Sequence, residues 1–451
     1  MKYKPNIQMT PAVYSSGGSR NPVVEALPEI LSVAEFHEAV QNFPPVPVNR
    51  ADMTYRERMR KMAQVQTVFV PLDYMYTVYE SLFRMMQSTY YTRTSKESVA
   101  RINAFFTNGA DMNSYGTQPQ SGALLGTSGL GKTTTIRKCL SLIPQVIAHE
   151  RYLGKPFFCK QVLWLFCECP SDASAKTMSY NIVKALDQAV GSNHLDYLLR
   201  MRSTASSAVS TYIKVLCLTY HVGLIVIDEI QNVVVQAQKT NRVKPLIRFL
   251  TELTNDSATA IYMSGTSLAE TVFSAEEYLR RRTRGPRLLP FKPDGAYRDF
   301  LQQLWPYQYT QKEAELTDRL ANQIYDYSGG IPAYITKIFE EAQVRAIMDG
   351  AEMIASKYIL AAVDHLSIKP PREYERGNYI SDFRVNAENS VELLQETSEQ
   401  VDAEKEKRLY ANPRGRKAQR RDEQDILCGY KNCCLHELLL KHRMIEEIVQ
   451  C

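Results

Sequence analysis

Gly126-Thr127-Ser128-Gly129-Leu130-Gly131-Lys132-Thr133 is a complete G-x-x-x-x-G-K-[ST] phosphate loop, and its flanks decide the fold. Ahead of it, Ala123-Leu124-Leu125 reads as a buried strand. Behind it, Thr134-Thr135-Ile136-Arg137-Lys138-Cys139-Leu140 carries apolar residues at helical spacing. A strand, a glycine loop and a helix in that order let backbone N–H groups curl around phosphates at the positive end of the helix. Gly126 through Thr134 are therefore expected to hold ATP. Lys132 would reach the β- and γ-phosphates, and the Thr133 hydroxyl would ligate Mg²⁺.

Outward from the loop, strand and helix signals alternate as a parallel sheet requires. Apolar strand runs fall at 162–166, 224–227 and 259–263, with a further edge strand expected at 288–291; residues 175–190 read as a helix stopped by Gly191. The strand Leu224-Ile225-Val226-Ile227 ends in Asp228-Glu229. Two carboxylates delivered beside a phosphate loop suggest a division of labour. Asp228 would hold Mg²⁺ through water, and Glu229 would orient or deprotonate the water attacking the γ-phosphate. Met263-Ser264-Gly265-Thr266 ends the next strand with two hydroxyls, so Ser264 or Thr266 is a candidate to sit beside that water. A plain Ser/Thr turn is the competing explanation.

Arg280, Arg281, Arg282, Arg284 and Arg287 crowd together after this strand. In a ring of subunits such a position can offer an arginine to a neighbour's nucleotide, with Arg281 and Arg282 favoured. A solvated basic face or DNA phosphate contact are the alternatives.

The rest of the chain divides by composition. Residues 1–50 are polar and proline-rich and read as an extended arm. Residues 51–120 turn helical, with Tyr55, Met59 and Met62 in spacing and a capping box at Thr94-Ser95-Lys96-Glu97. The α/β core follows at 121–292, and an all-helical lid at 293–368 is broken by Ser328-Gly329-Gly330-Ile331-Pro332. Residues 369–451 form a charged tail with a terminal helix at 435–449. Its basic run, Arg408, Arg414, Arg416, Lys417, Arg420 and Arg421, could pair with phosphates or an acidic partner.

The 451 residues, 44% hydrophobic and 23% charged, suit an ordinary soluble globular chain. A net charge of +5 permits nucleic-acid contact without demanding it. Nine scattered cysteines fit reduced thiols; Cys428, Cys433 and Cys434 near His436 make a weak zinc alternative. No apolar run of membrane-spanning length occurs, and no apolar segment follows Met1-Lys2-Tyr3-Lys4-Pro5. A cytoplasmic protein with no membrane partner is expected.

Four stretches together resemble the TnsC/TniB family of AAA+ transposition regulators, specifically the TnsC of TnsABC transposons, CRISPR-associated ones included. They are Asn21-Pro22-Val23-Val24-Glu25-Ala26-Leu27-Pro28; the phosphate loop with Ile143-Pro144-Gln145-Val146-Ile147; Ala185-Leu186-Asp187-Gln188-Ala189-Val190-Gly191-Ser192-Asn193; and Gly223 through Gln231. The likeness covers roughly residues 20–350 and leaves 370–451 unaligned.

The resemblance implies an α/β fold: an AAA+ P-loop ATPase with a parallel sheet flanked by helices, a C-terminal helical lid and a helical N-terminal extension. It implies a bacterial ATP-dependent DNA-binding protein that polymerises on duplex DNA, by backbone contacts without sequence preference. The polymer would be a ring or filament of roughly six or seven subunits per turn. Such a protein links a target selector, either a TnsD/TniQ-type protein or an RNA-guided complex, to the transposase subunits TnsA and TnsB. Lys176 stands where the family has a lysine facing DNA in the pore; Lys239, Arg242 and Lys244 are weaker DNA candidates. One departure concerns the lid. Ala333 and Tyr334 follow Pro332 where many relatives carry an arginine directed at the γ-phosphate, leaving Lys337 as a displaced substitute and implying slow hydrolysis. The competing function is a generic P-loop ATPase or adaptor in secretion or signalling with no DNA role.

Overall fold

The computed structural model describes residues 9–15, 20–106, 121–200, 206–233, 243–270 and 285–369. Its strands are β1 (Thr10–Pro11), β2 (Ser121–Gly126), β3 (Val146–Tyr152), β4 (Lys155–Val162), β5 (Trp164–Glu168), β6 (Leu224–Asp228), β7 (Ala260–Gly265) and β8 (Arg287–Leu288). Five of them form one parallel sheet in the order β5-β6-β7-β2-β8. The phosphate-loop strand β2 therefore lies beside β7, not beside the strand that follows it in sequence. Leu124 pairs with Ser264, and Ile227 with Met263. That register brings the loop, Asp228 and the Ser264 hydroxyl to the same end of the sheet.

Both faces of this sheet are covered, which is why its strands read as unbroken apolar runs. Ala123, Leu125, Ile225, Ile227, Ile261 and Met263 point to one core, shared with helices Ala175–Val190, Ser206–Thr219 and Val243–Ser257. Leu124, Leu224, Val226, Ala260 and Tyr262 point to the other, shared with Asp73–Thr92 and the loop's own helix Lys132–Ser141. A separate core fills the lid, built from Gly295–Leu304, Asp318–Ser328, Pro332–Met348 and Ser356–Leu366. Gly329 ends one lid helix in the left-handed region (φ 59), and Pro332 opens the next.

The N-terminal extension bridges core and lid. Its helix Asp73–Thr92 lies on the sheet, whereas Met62 and Val65 are buried among lid residues. Arg58 forms a two-pronged ion pair with Glu352, and Tyr307 donates to the Pro44 carbonyl (2.9 Å). The capping box at Thr94 and Glu97 forms as expected.

Three expectations need correction. Residues 1–50 are not simply an extended arm: helices Pro22–Glu25 and Val33–Val40 occur there, and Val23, Phe36 and Val40 are fully buried against the core. A capping box at Ser32 and Glu35 starts the second of them. The apolar run 162–166 is two strands meeting at Leu163, because its first residue closes a hairpin with β3. The edge strand expected at 288–291 is only Arg287–Leu288. The hairpin β3–β4 gave no sequence signal. Its turn places Leu153 and Gly154 both at positive φ (48 and 77), and leucine is an unusual residue there.

Two of the stretches carrying the family resemblance work as scaffolding. Asn21 caps its helix through the Val23 N–H (3.3 Å), and the Val23 carbonyl accepts from Gln161 (2.8 Å). Asp187 accepts from the Ser192 hydroxyl (2.6 Å) and from the N–H groups of His194 (3.0 Å) and Leu195 (2.8 Å), capping the next helix.

Candidate nucleotide site

The loop takes its shape from Gly129 (φ 86) and Gly131 (φ 84), both in the region open to glycine. Gly131 is the N-cap of helix Lys132–Ser141, so the helix's first N–H groups face the loop. Leu130 is the exception within the motif. Its side chain is core, and Tyr74 donates to its carbonyl (3.4 Å) while also bonding the Thr135 hydroxyl (3.2 Å). Gly126 is buried, Ser128 and Thr134 are exposed, and Thr127 is half-buried.

Lys132 folds back on the loop, with Nζ donating to the carbonyls of Gly126 (2.7 Å) and Thr127 (2.9 Å). Partial burial holds its pKa below the ordinary lysine value, and the charges of Asp228 and Glu229 work against that shift. Such a cation gains a stronger partner when phosphates arrive. Across the loop, Thr133 Oγ1 donates to Asp228 Oδ2 (2.6 Å), while Asp228 Oδ1 accepts from the Glu229 N–H (3.0 Å). A hydroxyl and a buried carboxylate in contact are hard oxygen donors of the type Mg²⁺ takes. That pair fits the ion, and bound there it would neutralise charge on phosphate oxygens.

Glu229 departs from the strand with φ +57, a conformation costly for a non-glycine residue and found most often at functional turns. Four hydrogen bonds pin that turn. The Ile230 N–H donates to the Ser264 carbonyl (3.0 Å), Asn232 Nδ2 to the Cys169 carbonyl (2.9 Å), and Gln231 bridges Glu229 to the Thr266 N–H. Ser264 itself is fully buried, and its hydroxyl has no hydrogen-bond partner among the described residues. A buried hydroxyl left open at the edge of a phosphate loop suits a ligand oxygen.

The lid closes on the loop directly. The Ala333 N–H donates to the Gly129 carbonyl (3.2 Å), and a Cβ at Gly129 would meet Ile331 at 2.9 Å. Lys337 is exposed one turn beyond Ala333 on the same helix.

Lys132, Thr133, Asp228, Glu229, Ser264 and Thr266 are thus gathered at one end of the sheet. Lys176 is exposed in the first turn of Ala175–Val190, its Nζ 5.9 Å from the Tyr180 ring centroid. Arg281, Arg282, Lys239 and Arg242 lie outside the described residues, as do the side chain of Lys244, the basic run from Arg408 and Cys428, Cys433 and Cys434. Among the described residues no His/Cys/Asp/Glu group suits a metal cluster, and no helix is long and apolar enough to cross a membrane. Gln231 and Asn232 were missed as site residues. Their signal was two adjacent amides one residue beyond the carboxylate pair, after Ile230.

Residues 116–273 match the family profile of an AAA domain. The fold is that of an AAA+ P-loop ATPase. The AAA+ family is one of nucleotide-hydrolysing enzymes that use Mg²⁺ with ATP, and the match covers less than half of the chain. No curated protein matches the sequence. Among solved structures, the chain is similar to the Aeropyrum pernix ORC1 protein in complex with DNA, at 16% identity and TM-score 0.35 over 60% of this chain. It spans 64% of that protein's length. It is also similar to Drosophila ORC bound to DNA (11% identity, TM-score 0.40, 73% of this chain and 70% of that one). A third is the Thermotoga maritima RuvB Holliday junction branch migration motor (14% identity, TM-score 0.30, 61% and 68%). At these TM-scores the likenesses carry no conclusion about what this chain binds.

Proposed function

We propose that this AAA+ protein is an ATP-driven regulator of DNA transposition. It assembles on duplex DNA with ATP, links a target selector to the transposase, and is released by hydrolysis. The observation that carries the ATP half is the contact of Thr133 with Asp228 beside Lys132, the open Ser264 hydroxyl and the docked lid. The DNA and transposition half rests on the sequence resemblance across residues 20–350.

In this account Lys132 leaves the loop carbonyls for the β- and γ-phosphates. Thr133 and Asp228 would hold the Mg²⁺ ion, which would neutralise charge on the phosphate oxygens. Glu229 takes a proton from water as the water oxygen bonds to the γ-phosphorus and the bridging P–O bond breaks, its electron pair leaving with ADP. Ser264 or Thr266 meets the γ-phosphate side. Arg281 or Arg282 is supplied to a neighbouring subunit, and Lys176, Lys239, Arg242 and Lys244 track DNA phosphates. With Ala333 and Tyr334 following Pro332 in place of a lid arginine, turnover is slow and acts as a timer.

The test is retention on nonspecific duplex DNA at moderate salt. ATP should be required, and Glu229→Gln should give long-lived DNA-bound oligomers because hydrolysis is lost while nucleotide still binds. A variant that leaves DNA as fast as the parent contradicts the timer; retention equal with and without ATP contradicts the proposal.

A further inference from the structure

Gln231 has a use beyond closing a turn. Its Oε1 accepts from the Thr266 N–H (2.9 Å), and its Nε2 donates to Glu229 Oε2. The orientation of this amide is fixed by its partners: a backbone N–H can only donate and so takes the oxygen, which leaves the NH₂ for the carboxylate. The fit is close, since a Cβ on Gly265 would come within 2.6 Å of that same oxygen. One side chain therefore ties the carboxylate just after β6 to the backbone just past β7, two residues beyond the buried Ser264. The Glu229 backbone sits at φ +57, so the local chain alone does not hold its side chain in a relaxed pose.

We infer that Gln231 is the positioning residue of the hydrolytic step, holding Glu229 Oε2 so that Oε1 faces the attacking water and coupling that aim to the Ser264–Thr266 loop. A carboxylate bonded through one oxygen keeps the other as its proton acceptor. Movement of the Thr266 N–H when the γ-phosphate is engaged, or lost, re-aims Glu229 through the same amide. The inference rests on the hydrolysis reading proposed above.

Two variants separate its parts. Gln231→Met keeps the length and removes both bonds. Gln231→Glu keeps the acceptor for Thr266 but replaces the donor to Glu229 with a like charge, so the carboxylate is pushed away instead of held. With ATP turnover, nucleotide affinity and thermal midpoint measured on the full chain, Gln231→Met should lower kcat about tenfold and leave KM and nucleotide Kd within about twofold. Gln231→Glu should lower kcat at least as far, again with KM and nucleotide Kd within about twofold. A purely structural amide would change the thermal midpoint and KM and leave kcat of the folded protein unmoved. Unchanged kcat in either variant overturns the inference. If the parent hydrolyses ATP and Glu229→Gln abolishes it, such a failure belongs to Gln231 alone. If Glu229→Gln changes nothing, the hydrolysis reading falls and the inference falls with it.

Discussion

Where the central strands begin, near Val162, Val222 and Thr259, buried polar side chains bond to backbone. Thr89 donates to the Gly223 carbonyl (2.8 Å), Tyr90 to those of Val162 (3.0 Å) and His221 (2.8 Å), and Arg93 to those of Ser257 (2.6 Å) and Val222 (2.7 Å). Where the same strands end, side chains bond one another, as Thr133 does Asp228 and Gln231 does Glu229, or loop backbone, as Lys132 does the Gly126 and Thr127 carbonyls, and the Ser264 hydroxyl has no partner among the described residues. Backbone partners inside a sheet cannot be traded for a ligand. Side-chain partners, loop carbonyls and an open hydroxyl can. Burial differs between the two ends as well: Tyr90 and Arg93 are fully buried, whereas Glu229 is exposed and Lys132, Thr133 and Gln231 are half-buried, so access and exchangeability of the partner together separate the site from the scaffold.

That contrast is open to attack in order of expected effect. Glu229→Gln should lower kcat by roughly 10²–10⁴-fold with nucleotide affinity and thermal midpoint retained, as single-turnover and binding measurements would reveal. At the opposite end, Arg93→Met strands at least two carbonyls. It should cost about 3 kcal/mol of stability in denaturant melts, with nucleotide affinity little changed for the folded fraction. Equal damage to both properties in either variant would blur the distinction between the ends. Next, Lys132→Ala should weaken ATP binding about a hundredfold while leaving the nucleotide-free melting temperature intact, a loss of about 2.7 kcal/mol read by titration.

A smaller effect follows from protonation at the scaffold end. Burial, with the nearby Arg93 charge, pushes the His221 imidazole down to about 3, and burial lowers that of His149 as well. An unfolded histidine takes a proton near pH 6.5 that the folded one refuses, so the unfolded chain binds more protons below that value. Stability should fall as pH drops from about 6.5 towards 4.5, by up to about 1.4 kcal/mol per pH unit for His221, with His149 acting in the same direction. His221→Asn, which tolerates the position's φ of 46, should flatten that slope; a slope unaltered by the change contradicts it. Smallest of all, Lys176→Ala should reduce DNA affinity and the salt dependence of binding by about one phosphate contact, with ATP affinity unchanged. An identical salt slope would take Lys176 out of the DNA path.

The parts of this arrangement legible from sequence are those whose cause is local. Gly126 through Thr133, the strand ending at Asp228 and the cap at Thr94 and Glu97 each carry their reason within a few residues. The lid break at Gly329 and Pro332 is of the same kind. The contact of Ala333 with Gly129 is not, since neither residue has a side chain that advertises it. The buried faces of residues 22–40 are masked when composition is averaged over residues 1–50: the apolar residues around Val23, Phe36 and Val40 lie between proline-rich and polar flanks. The hairpin was concealed by a leucine at positive φ. Gln231 stood in plain view within the quoted motif, yet its role depends on the Thr266 N–H, 35 positions further along the chain.

The most direct trial of the account is the retention of the purified full chain on nonspecific duplex DNA at moderate salt, with ATP, with a slowly hydrolysed analogue and with no nucleotide. Retention should appear with ATP, lengthen with the analogue and vanish when the pocket is empty. Equal retention in all three conditions would contradict a triphosphate at Lys132, Thr133 and Asp228 as the switch for DNA binding.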